Sequence, residues 1–347
     1  MYDFLFITNI PSFYKLNLYN ELAKKCNIYV IFLSAGSKVR QADFFNGEML
    51  FDYKIIDQHA YEQRNWFLNG FKLLKLMRSI NYFKVVVGGW DAQEYWLTIL
   101  TNRKKKNAVV VESSIHDSTP SGIKGYIKRF FVSRLSIAFV SGIGHKQLLE
   151  ALNFSGNVIV TGGVGLINKN GLEKIDNHFN GRFLYVGRLS VEKNLFFLIN
   201  AFKNFPDFYL TILGHGPLEE KLKEIAGNNV KFIANIPNDE IQKIYLQHDV
   251  LLLLSHSEPW GLVVEEALFY GLPVILSNQV GCIADLLVAC KGGLIVDTSS
   301  KDSLKKALQD ISELENYKKL HKSVSLVDFD KRFTEQVNSY LNTIKKI

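Results

Sequence analysis

The segment from Gly187 to Asn194 reads G-R-L-S-V-E-K-N and follows the apolar run RFLYV. A glycine at that point lets a ligand approach the backbone. Arg188 and Lys193 then set two cations five residues apart where a loop turns into a helix. Unpaired amides and the helix dipole already favour anions at such a junction. A guanidinium can grip a phosphate with two parallel bonds, and an ammonium adds a point charge. The chemistry on offer is phosphate binding; a surface ion pair capping the helix would use the same residues. A second segment, Ser257 to Ala267, reads S-E-P-W-G-L-V-V-E-E-A. Glu258 stands before a Pro-Trp-Gly turn and Glu266 inside the helix that follows. A helix rises about 1.5 Å per residue, so the two carboxylates suit opposite ends of one extended ligand. Carboxylates accept hydrogen bonds from vicinal hydroxyls, as in ribose or a hexose. Glu265 reads as a solvated charge near the helix start. A third loop, Gly214-His215-Gly216-Pro217, is weak alone, because G-x-G fragments are common.

These loops need strands to hold them, and the chain supplies two series. The first runs DFLFIT, IYVIFL, KVVVGG, AVVVE, IAFVS and NVIVTG, and the second RFLYVG, YLTILG, NVKFIA, DVLLLLS, LPVILS and GLIVD. Helix-period stretches such as PSFYKLNLYNELAKK and GHKQLLEALNF lie between them. Strand–helix alternation predicts parallel sheets covered on both faces. We expect an acceptor-side domain over 1–165, a Gly- and Asn-rich linker over 166–181, a second domain over 182–315, and a helical tail over 316–347 that packs back on the first domain. The fold class is α/β, with two Rossmann-like, doubly wound domains facing a central cleft. Ligands in such sheets bind beyond the carboxyl ends of the strands. The first domain has Thr8 to Tyr14, T-N-I-P-S-F-Y, after its first strand, in place of G-x-G-x-x-G. That argues against a nicotinamide enzyme.

Composition narrows the class. The 347 residues are 47% hydrophobic and 22% charged, as in a globular protein of about two domains. Cys26, Cys282 and Cys290 lack paired or metal-like spacing and read as reduced. No run reaches the roughly 18 apolar residues of a membrane span. The opening MYDFLFITNI has no basic start and is broken by Asp3, so it reads as a buried strand. Residues 1–170 carry 21 Lys and Arg against 12 Asp and Glu, and the remainder 20 against 22. The basic half suggests an anionic partner. No recognition motif accompanies that charge, which argues against nucleic acid.

Taken together, G-R-L-S-x-E-K-N, G-x-G-P, S-E-P-W-G-L-V-V-x-E-A and Gly271-Leu272-Pro273-Val274, in this order and spacing, resemble the family-four retaining glycosyltransferases of the GT-B fold. The resemblance is strong over 182–285 and collinear over 1–165. It implies that Arg188 and Lys193 hold the donor diphosphate beside Gly187, Gly214 and Gly216. It implies that Glu258 contacts the transferred sugar and Glu266 the ribose. Backbone amides near Trp260, Gly261, Leu262 and Val263 would bind sugar and phosphate oxygens. Ala234, Asn235 and Ile236 would receive the base, with Ala234 where the family usually has glycine. The family generally needs no metal or other cofactor beyond the nucleotide sugar, UDP- or GDP-linked. His116 stands where many relatives place a histidine near the reacting centre.

The acceptor side draws on residues after the first-domain strands: Asn9, Pro11, Ser12, Trp90, Glu112 and Ser113. The stretch Gly122 to Arg134, GIKGYIKRFFVSR, sets Lys124, Lys128 and Arg129 among aromatics. It suits an anionic membrane surface or, equally, an ordinary amphipathic helix. The expectation is therefore a cytoplasmic enzyme, peripheral on the inner face of the membrane. It would move a hexose to a hydroxyl of a glycan or lipid-linked glycan in cell-surface polysaccharide assembly. A nucleotide-sugar epimerase and a noncatalytic nucleotide-sugar-binding scaffold are the alternatives.

Overall fold

The structure is a computed structural model that describes residues 1–38, 47–168, 178–234, 236–237 and 240–344. Asn235 and most of the expected linker lie outside the described residues. The chain divides into two compact units, Met1–Asn168 with Asp330–Ile347, and Lys169–Phe329.

The first unit contains β1 (Tyr2–Thr8), α1 (Phe13–Ala23), β2 (Ile28–Gly36), β3 (Asp52–Ala60), α2 (Trp66–Ser79), β4 (Tyr82–Val87), α3 (Gln93–Thr101), β5 (Asn107–Val111), α4 (Gly122–Ser133), β6 (Ile137–Val140), α5 (Ile143–Ala151) and β7 (Asn157–Val160). Its seven strands are parallel and ordered β3-β2-β1-β4-β5-β6-β7. The inner strands are apolar almost without interruption because helices cover both faces. On one face Leu5, Ile7, Val85, Val87 and Val109 pack with Leu73 of α2, Tyr95 and Ile99 of α3, Phe131 of α4 and Leu148 of α5. On the other, Phe4 and Phe6 meet Tyr19 of α1 and Tyr340.

The second unit contains β8 (Arg182–Val186), α6 (Leu195–Phe202), β9 (Tyr209–Leu213), α7 (Glu219–Ile225), β10 (Val230–Ile233), α8 (Ile241–Leu246), β11 (Val250–Leu253), α9 (Leu262–Phe269), β12 (Val274–Ser277), α10 (Val288–Cys290, entered through a π-helical turn), β13 (Gly293–Val296), α11 (Lys301–Ser312) and α12 (Leu314–Ser325). Its six parallel strands are ordered β10-β9-β8-β11-β12-β13. In each sheet the order reverses once, between β1 and β4 and between β8 and β11. The loops leaving those strands diverge and open a crevice at the carboxyl edge.

Both expected sheets are present, with one strand that the sequence reading missed. β3 is an edge strand, largely exposed on both sides, and its sequence DYKIIDQHA lacks an apolar run. The segment read as one tail from 316 is divided between the units: α12 belongs to the second, and α13 (Phe329–Leu341) lies almost entirely in the first. Tyr340 of α13 stacks on Phe139 at 4.2 Å between centroids. Arg332 Nη2 donates to the Gly162 carbonyl at 2.8 Å. No helix among the described residues is long and apolar enough to cross a membrane. Tyr340 is 3% exposed, and truncating a buried aromatic costs about 3–5 kcal/mol. Tyr340→Ala should lower the urea midpoint of the first unit accordingly; an unchanged midpoint would mean that α13 contributes no stability there.

Candidate functional site

The two loops that flank the order reversal of the second sheet carry the expected charges. Lys193 Nζ and the Glu258 carboxylate are in direct contact, with side chains 17% and 13% exposed. The loops are also tied through the backbone, His256 N–H donating to the Glu192 carbonyl at 2.8 Å. Arg188 is exposed and bonds Glu192 Oε1 at 2.8 Å through Nη2. Ser190 Oγ donates to the same carboxylate oxygen at 2.6 Å. Burial raises the Glu192 pKa, but the bonds from Ser190 and Arg188 outweigh it and hold the carboxyl down at about 2. Both cations therefore rest against carboxylates, and a diphosphate could displace these by offering more negative charge. Glu258, once released, could accept from hydroxyl donors.

Glycine shapes the wall beside the cations. A Cβ on Gly214 would fall 2.0 Å from the Gly187 carbonyl oxygen, so the two loops touch backbone to backbone. Leu189 N–H donates to the His215 carbonyl at 2.9 Å across the same seam. Gly261, at φ 97°, makes the left-handed turn that starts α9. Trp260 and Gly261 are buried, while Leu262 and Val263 are half-buried at the first turn. Ala234 and Ile236 lie just past β10, on the far side of β9 from β8.

Glu266 is buried and accepts from the Tyr245 hydroxyl at 2.7 Å. Burial raises its pKa, the Tyr245 bond lowers it, and the net is an increase from 4.5 to about 7. Glu265, expected in solvent, is 1% exposed; Trp260 Nε1 donates to it at 3.4 Å. The tight Pro-Trp-Gly turn folds the indole over that carboxylate, a tertiary contact that a helix-end rule cannot foresee. Tyr245 gave no sequence signal either, since it fits the apolar period of α8.

In the first unit the expected acceptor residues divide. Pro11 and Ser12 are buried; Ser12 starts α1 through its carbonyl, which accepts from Lys15 and Leu16 N–H at 3.0 Å. Asn9 Oδ1 accepts from Lys15 Nζ at 3.3 Å, and that ammonium pairs with Glu112 at 2.9 Å. Lys15 is buried; desolvation opposes its charge, but Glu112 and neighbouring tyrosines raise its pKa overall. Nothing in the run FYKLNLY distinguishes it beforehand. Ser113 is half-buried beside Glu112. Trp90 is half-buried, its ring centroid 6.4 Å from that of Phe131, and its carbonyl accepts from Trp96 Nε1 at 2.9 Å. His116 is exposed in a turn closed by Asp117, which accepts from Ser114 Oγ at 2.7 Å. His145, unnoticed in the sequence, is fully buried and pushed down to about 4 by desolvation.

The Glu266 carboxyl has a testable signature. It is neutral in both states below its unfolded value. Between that value and about 7 the unfolded chain ionises first, so native stability falls as pH rises through this window. The full penalty is about 3 kcal/mol. Glu266→Gln should therefore gain about that much over the parent between about pH 5 and about pH 8, read by urea unfolding. A difference independent of pH would contradict the raised pKa.

Comparison with known proteins finds sequence and fold relatives of this chain. Residues 173–325 match the model for glycosyl transferases group 1. The chain is 35% identical over 105 residues to the sulfoquinovosyl transferase of Arabidopsis thaliana, covering 30% of this chain and 20% of that protein. It is 30% identical over 179 residues to a putative teichuronic acid biosynthesis glycosyltransferase of Bacillus subtilis, covering 48% and 45%. The chain thus spans a fifth and less than half of these relatives. HepE of Anabaena, solved in complex with UDP-glucose, superposes with a TM-score of 0.75 over 100% of both chains at 14% identity. The chain has the GT-B fold, and the match to the glycosyl transferases group 1 model covers residues 173–325, less than half of the chain.

Proposed function

We propose that the protein is a retaining hexosyltransferase, using a nucleotide diphosphate sugar and acting on a hydroxyl of a glycan or lipid-linked glycan. The observation that carries this reading is the meeting of Lys193 and Glu258 at the order reversal of the second sheet. Lys193 and Arg188 would take the diphosphate, Glu258 the hexose and Glu266 the ribose hydroxyls. The bond from the anomeric carbon to the β-phosphate oxygen breaks, and the acceptor oxygen bonds to that carbon from the same face. The acceptor proton passes to the departing phosphate. The two cations stabilise the charge that develops there, a part that needs no metal. Exposed His116 is assigned to orienting the sugar or acceptor, and Trp90 and Glu112 to the acceptor pocket. The UDP-glucose bound by HepE makes UDP donors the first to try. The Bacillus relative named for teichuronic acid biosynthesis supports cell-surface polysaccharide as the acceptor class, at the cytoplasmic side of the membrane.

Arg188→Ala combined with Lys193→Ala should reduce turnover by about a thousandfold or more while circular dichroism shows the fold retained. Persistent activity would refute the diphosphate assignment. Glu266→Ala should weaken nucleotide binding in calorimetry, and unchanged affinity would remove its ribose role. Product analysis with donor alone separates transfer from epimerisation, and NMR of the product anomer reads retention.

A further inference from the structure

Two helices of the first unit begin with apolar turns left in solvent. α2 opens on Trp66 and Phe67, 50% and 57% exposed, with Phe71 at 62% one turn on. Their rings pack edge to face, 5.8 Å from Trp66 to Phe67 and 5.0 Å from Phe67 to Phe71. α4 opens on Ile123 and Tyr126, 81% and 72% exposed. Burying one such side chain stabilises by about 1.5–3 kcal/mol, so a cluster left outside marks an interaction surface.

The two helices carry charge of one sign, although Glu62 just before α2 and Asp117 near Lys128 place acids in the loops that lead into them. Helix starts favour acids, yet neither first turn has one. α2 carries Lys72, Lys75 and Arg78, α4 carries Lys124, Lys128 and Arg129, and neither contains an Asp or Glu. Lys128 is tied to Ser118 and to the Thr119 carbonyl, and Arg129 to the Pro120 carbonyl. These bonds hold the head groups beside the first turn of α4.

The two turns belong to one rim. Both helices follow parallel strands and run back along the sheet, so their starts lie at its carboxyl edge. Arg64, just before α2, bonds Glu94 of α3 through two contacts at 3.0 and 3.2 Å. Trp96 of α3 stacks with Phe130 of α4 at 6.3 Å. Lys128 stands 5.7 Å from the Trp90 ring centroid. The rim therefore adjoins Trp90, assigned above to the acceptor side.

We propose that this rim is a membrane-docking face, on which Trp66, Phe67 and Phe71 enter the acyl boundary of an anionic bilayer while Lys124, Lys128 and Arg129 meet lipid phosphates. Aromatic bodies at the boundary with cations at headgroup level is the arrangement such a surface binds. A second copy of the chain would oppose two cationic faces, so charge favours lipid. The proposal rests on the hexosyltransferase reading only for its purpose, delivery of a lipid-linked acceptor; docking itself needs no turnover.

The test is co-sedimentation of the full chain with phosphatidylcholine vesicles, neutral or containing about a third phosphatidylglycerol. The parent should bind the anionic vesicles and release as salt rises. Trp66→Ser/Phe67→Ser/Phe71→Ser and Lys124→Ala/Lys128→Ala/Arg129→Ala should each lose about tenfold or more in affinity. Circular dichroism checks their folding. Independently, Trp66 emission, isolated as the difference between parent and Trp66→Phe, should shift blue on anionic vesicles. Equal binding to both vesicle types, parental binding by the aromatic variant, or a parental dimer that the aromatic variant dissociates without vesicle binding would each overturn the proposal. Calorimetry with UDP on the same samples reports the donor site separately, so its failure would leave the docking result standing.

Discussion

The contact between Lys193 and Glu258 depends on a reversal of strand order. β8 and β11 are neighbours in the sheet but far apart in the chain. Only at such a boundary do two successive loops turn away from each other and leave room between them. The cation enters from one loop and the carboxylate from the other. Held in partial burial, each charge needs the other when nothing else is bound. The glycine seam between Gly187 and Gly214, the αL turn at Gly261 and the backbone tie from His256 to Glu192 all fix where those side chains meet.

Much of this was legible because fully covered parallel strands leave a plain trace. The six strands of the second sheet and six of the seven in the first appear as apolar runs, and the loops after them hold the charged residues. β3 left no such trace, since this edge strand is largely exposed and its sequence DYKIIDQHA is polar to match. Arg188, Lys193, Glu258 and Glu266 could be singled out by type and spacing. Their partners could not. Tyr245 and Lys15 sit in helices whose apolar period hides them, and what makes them notable is the carboxylate that tertiary folding brings close. Glu265 shows the reverse case, a residue whose local position suggested water and whose environment is an indole.

The two units use the same scaffold to different electrostatic ends. In the second, the charges at the sheet edge are partly exposed and pair directly, within one loop or from one loop to the next. In the first, Lys15 is sealed under Asn9 and Glu112, and the free positive charge has moved outward to the helices that cover the sheet. A buried ammonium tied to one carboxylate fixes the geometry of the first loop and has little to offer a ligand.

The return of α13 to the first unit also sets an order of assembly. Domains tend to fold as they emerge during synthesis, but here the first sheet lacks the part of its cover that Tyr340 lays over Phe4, Phe6 and Phe139 until residues beyond 330 are available. The second unit precedes those residues in the chain and so emerges from the ribosome ahead of them. The early half of the chain must therefore wait, with an aromatic face open, for a helix encoded after its neighbour is complete.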